Sequence, residues 1–117
     1  MEHWDLSQIA TPDGTQDPVV LRQDDGGRAI LIGLNPGQEL GDHQVKEGSL
    51  VTVVEGSVRV RSEGGTVEAG VGHLFRFDPH ERHSVASDGG ARILLFLAPF
   101  PAPDHYSGHA AATGPTA

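Results

Sequence analysis

Two blocks of this 117-residue chain place side chains where they could do chemistry. The first runs from Gly37 through Asp42-His43 to Glu55-Gly56. The second runs from Gly70 through His73 to Pro79-His80-Glu81-Arg82-His83. Each sets a histidine beside a run of strand-forming residues. Imidazole can ligate a metal, carry a proton near neutral pH, or hold a ligand by a hydrogen bond. Covalent chemistry has little support. There is no cysteine, so no thiolate nucleophile, thiolate metal site or disulfide. Ser49 lies near His43, but no third group orients a base and no oxyanion hole is legible. Nucleophile-elbow, P-loop and dinucleotide fingerprints are absent, and Gly64-Gly65 and Gly89-Gly90 read as turns.

The remaining histidines carry weaker signals. His73 shares strand alternation with Phe75 and Phe77, so it either lines a cavity with them or, more simply, ends a strand in solvent. His80 is expected in a charged turn with Asp78-Pro79 and Glu81-Arg82. His3, His105 and His109 fall in terminal segments and receive no role.

The elements that must position these residues are short strands. Sixteen glycines and eight prolines punctuate the chain. Apolar runs at 18–21, 28–34, 50–55, 57–61, 74–77, 84–87 and 92–98 alternate with turn signals such as Asn35-Pro36-Gly37, Glu63-Gly64-Gly65 and Asp88-Gly89-Gly90. No sustained helical period appears. This rhythm predicts an all-β sandwich or barrel. Val58 and Val60 alternate with Arg59 and Arg61, which puts the valines inside. The runs 28–34 and 92–98 are apolar on both faces, so they are expected either in the core or at a homodimer contact. Trp4 could add an edge strand. Three regions are expected: edge strands and turns over 1–27, a barrel over 28–98, and a flexible tail over 99–117.

Charge and hydropathy bound the partners. Eight basic residues against sixteen acidic ones give a net charge of −8. That disfavours nucleic acid and anionic membranes, which need clustered cations. No secretory signal and no membrane-spanning apolar run is legible, so a cytoplasmic location is expected.

The two glycine–histidine blocks resemble the paired motifs of the cupins, small double-stranded β-helix (jelly-roll) barrels. Gly37, His43 and Gly56 stand where the first motif asks for them. Gly70 and His83 match the ends of the second, with Pro79 displaced by one place, His80 in place of a glycine and Ser87 in place of an asparagine. The resemblance covers about residues 28 to 98. It implies a cupin barrel with a small-molecule site inside, and the two-faced strands make a dimer of such barrels the expectation.

In family members with a full site, two histidines and a glutamate from the first motif join a histidine from the second on a divalent metal. By position those places are His43, Val45, Ser49 and His83, so two have lost their ligand. If the segment is extended, Glu47 shares a face with His43, Val45 and Ser49. That parity would allow a reduced site of His43, Glu47 and His83 for iron, manganese, zinc or nickel. The opposing reading puts Glu47 in a turn facing water. Val45, Ser49, Val51, Val53, Phe75 and Phe77 are the expected pocket wall.

Three functions follow. The first is a metal-dependent oxygenase, isomerase or lyase. The second is a metal-free barrel that binds a small ligand as a sensor, carrier or acid–base catalyst. The third is a structural protein in which both histidines are remnants.

Overall fold

A computed structural model describes residues 1–24, 26–43 and 47–98, with the side chains of Asp42 and His43 outside that description. The expected tail, Val45 and the remaining residues lie outside it too. The described strands are β1 (Val19–Asp24), β2 (Gly27–Leu34), β3 (Glu39–His43), β4 (Gly48–Ser62), β5 (Gly65–Gly70), β6 (Leu74–Phe77), β7 (His83–Ala86) and β8 (Ala91–Ala98). All pairings are antiparallel.

β4 organises the barrel. Its first half pairs with β8 on one edge and β6 on the other, and β8 continues to β2 and β1. Its second half pairs with β5 and β7, and β7 continues to β3. The sequence suggested two strands here, over 50–55 and 57–61. The structure has one, because the chain passes from sheet to sheet without a loop. A register shift between Val53 and Glu55 inserts an extra residue. The inward set therefore changes from Ser49, Val51 and Val53 to Val58 and Val60. Gly56 makes the bend at φ +77°, a region that disfavours any residue with a Cβ. A Cβ there would also collide with the carbonyl oxygen of Gly90.

Both sheets contribute to one core. Ile30, Ile32, Leu34, Val51, Val53, Ile93 and Leu95 from the first sheet meet Val58, Val60, Ala69 and Val85 from the second. Each large aliphatic side chain buried this way contributes about 1.5–3 kcal/mol.

The two-sided apolar character of β2 has an intramolecular cause. Residues ahead of β1 run across the outer face of the first sheet. Arg92 holds them there, donating from Nη1 to the Ile9 carbonyl and from Nη2 to the Ser7 carbonyl at 3.2 Å, with Glu55 at 3.1 Å. Gly33 lies so close to Thr11 that no side chain would fit between them. Leu31, on that outer face, is fully buried. Trp4 joins no strand. It precedes a short 3-10 turn at Leu6–Gln8 and is exposed. β3 and β5 appear where the apolar pattern was too thin to mark a strand. No helix among the described residues is long and apolar enough to cross a membrane.

Candidate functional site

Two buried polar side chains, Ser49 and His83, lie at one end of the barrel. Register builds that end residue by residue. Leu97 of β8 lies opposite Arg28 of β2 on one side and Ser49 of β4 on the other, and Ser49 lies opposite Phe77 of β6. Directly opposed residues share a face. The four therefore form a row across the inner surface of the first sheet, at about 4.8 Å per strand. One step deeper, Val51 is opposed by Phe75 and Leu95.

His83 closes the row from the second sheet. Its ring stacks on Phe77 with centroids 3.9 Å apart and planes 6° from parallel. Phe75 continues the series, 6.4 Å from Phe77 and again within 6°. His83 is 3% exposed, and its Nδ1 lies 3.1 Å from the Glu81 carbonyl. A carbonyl only accepts, so this contact places a proton on Nδ1. In the neutral ring Nε2 then carries the lone pair.

The expected site residues separate into groups. Ser49, Val51, Phe77 and His83 are buried together at this end, with Phe75 packed partly buried beside them. Val53 lies deeper in the core. Glu47, two residues ahead of Ser49, is 1% exposed, which corrects the reading of a turn facing water. The backbone of His43 pairs with that of His83, beyond a register shift in β3. Val45 lies outside the described residues. Among the described residues, no three His, Cys, Asp or Glu side chains are grouped to hold a metal.

The Ser49 hydroxyl is buried and has no hydrogen-bond partner among the described residues. A neutral hydroxyl is a weak ligand where the full cupin site needs a carboxylate, and valine at 45 has no donor atom. The four-ligand metal set therefore does not fit this chain.

Other motif positions are structural. Ser87 donates to the Ser57 carbonyl at 2.7 Å, while its backbone pairs with Gly37 and Gln38, tying β7 to β4 and to the start of β3. His73 is exposed, with Nδ1 3.1 Å from the Gly70 carbonyl, so the strand-end reading holds. His80 is an exposed turn residue at φ +67°.

Arg28 is the functional candidate that sequence reasoning missed. It is half-buried, and its Nε is shielded from solvent. The alternation 28, 30, 32, 34 was the available signal, since Ile30, Ile32 and Leu34 point inward. Two open grooves of about 330 and 340 Å³ flank the second sheet. Their linings mix arginines with acidic residues, among them Arg59 in ion pairs with Glu68 and Asp88, and converge on no single chemistry.

Comparison with known proteins agrees with this geometry. Residues 27–104 match the AraC-like ligand binding domain family. A Thermus thermophilus protein is similar in structure at TM-score 0.74 and 25% identity, covering 85% of this chain and 98% of its own. An RmlC-like cupin from Shewanella frigidimarina follows at TM-score 0.72 and 22% identity, covering 86% and 94%. A Klebsiella pneumoniae protein with a double-stranded β-helix domain gives TM-score 0.75 at 18% identity, covering 87% and 93%. No curated protein matches the sequence. The chain has the cupin fold and belongs to the AraC-like ligand-binding domain family.

Proposed function

We propose that this protein is a metal-free small-molecule-binding barrel. Its recognition surface is the polar end of the interior, with Arg28, Glu47, Ser49 and His83 above an apolar floor of Leu97, Phe77, Val51 and Phe75. The observation that carries the reading is the meeting of two buried polar side chains, Ser49 and His83, with the apolar wall of Leu97, Phe77 and Val51 at one end of the barrel. A few polar groups converging on an apolar wall are what fixes a small ligand's orientation. The family match supports the same class.

Thermal unfolding against a panel of small neutral and charged organic compounds tests this. A ligand that binds only the folded state raises Tm with its concentration. A panel that leaves Tm unmoved, with one equivalent of metal in the purified protein, would favour the second reading.

That second reading places iron, manganese, zinc or nickel on His43, Glu47 and His83. The burial of Glu47 favours it. Such a metal would polarise a substrate oxygen in an oxygenase, isomerase or lyase.

We also propose a homodimer through the uncovered part of the first sheet's outer face. There Phe96 and Leu50 are register partners, 44% and 40% exposed, and Leu74 on the neighbouring strand is 65% exposed. Light scattering should give a dimer for the native chain and a monomer for Phe96→Glu.

A further inference from the structure

We infer that Ser49 selects the ligand, and that the barrel prefers small neutral molecules carrying a hydroxyl or carbonyl oxygen on a planar, apolar body. This rests on the ligand-binding function proposed above.

Ser49 is 4% exposed, and its Oγ is enclosed without a hydrogen-bond partner among the described residues. The hydroxyl faces the interior, because Ser49 lies on the side of Val51 and Val53 and is flanked in register by Leu97 and Phe77. An enclosed hydroxyl with no partner costs stability, and an alanine in the same place would not. The group is both donor and acceptor, so a hydroxyl or carbonyl oxygen on an entering molecule satisfies it.

The surroundings set the rest of the ligand. On one side is the Leu97 side chain. On the other are Phe77, His83 and Phe75, whose rings stack on one another, so that the face of a flat apolar body would meet their edges. Charge sets the preference for a neutral molecule. Ser49 is flanked in register by the apolar side chains of Leu97 and Phe77, which offer a charge no compensating partner. Neither an anion nor a cation then recovers the hydration it loses on entry.

The test is a ¹H–¹⁵N chemical-shift titration of the full chain with phenol, toluene and benzoate, for the native protein and Ser49→Ala. The native protein should bind phenol about fivefold more tightly than toluene, the worth of one hydrogen bond between neutral groups. Benzoate should bind more weakly than phenol. In Ser49→Ala the preference for phenol over toluene should vanish, toluene should bind as before, and the ligand-free Tm should hold or rise. Ser49→Cys, a somewhat larger side chain with a weaker donor, should show the same loss of preference. A phenol preference that survives in both variants would overturn the inference, as would benzoate binding best, and either result would leave the barrel's binding function intact. If none of the three compounds moves an inner-face amide, the binding function fails and the inference with it.

Discussion

The imidazole of His83 lies flat on the ring of Phe77, centroids 3.9 Å apart and planes within 6°. The pair spans the two sheets, since Phe77 ends β6 and His83 opens β7. The stack fixes the plane of the imidazole, and the Glu81 carbonyl 3.1 Å from Nδ1 fixes its proton. One aromatic contact thus closes the barrel end and orients the histidine that serves it.

Phe77→Ala removes both the stack and a side chain that is 3% exposed. We expect a loss of about 3–5 kcal/mol in urea unfolding, the usual range for a buried phenylalanine. The His83 ring protons should move together with the loss of the ring current. A loss below about 1 kcal/mol would show that Phe77 is not a core residue.

Gly56→Ala tests the passage of β4 between sheets. The left-handed conformation alone costs a non-glycine residue about 1–2 kcal/mol. The carbonyl of Gly90 stands where the methyl would go, so the total should exceed that figure. Gly64→Ala is the control. Its nearest neighbour to an added Cβ is Ser62 Oγ at 3.8 Å, so the change should stay within about 0.5 kcal/mol.

Asp24 gives the pH prediction. Its Oδ1 accepts from the Gly26 backbone N–H at 2.8 Å and its Oδ2 lies 3.5 Å from Arg22 Nε. The Gly26 hydrogen bond, aided by Arg22, holds the carboxyl below its ordinary value of 3.8. A folded pKa below the unfolded one means stability present above 3.8 and lost as pH falls through the folded value. NMR titration should give a midpoint under 3.8, and Asp24→Asn should flatten the acid limb of the stability curve. A midpoint at or above 3.8 would contradict the turn geometry.

Much of this molecule was legible in sequence because its signals are local. The strand over 74–77 was placed residue for residue, and the Val58–Val60 alternation was read in the right sense. What escaped depends on partners distant in the chain. β4 reads as two strands because Gly56 looks like a turn, and only its meeting with Gly90 reveals a bend within one strand. β3 and β5 are edge strands with few apolar residues, held by pairing more than by pattern. The outer face of β2 could be read either as core or as a dimer contact, because the covering segment, clamped by Arg92, lies far off in sequence. The site shows the same split. That Ser49, Phe77 and His83 share the inner face followed from motif position and strand parity. Arg28 did not, because a charged residue at the start of an apolar strand looks like a boundary.

The most direct test of ligand binding in the barrel is the position of phenol-induced amide shifts over the whole chain. They should concentrate at Arg28, Ser49, Val51, Phe75, Phe77 and His83, around the polar end of the interior. Shifts confined to the second-sheet groove around Arg59 and Glu68, or no shifts at all, would contradict that function.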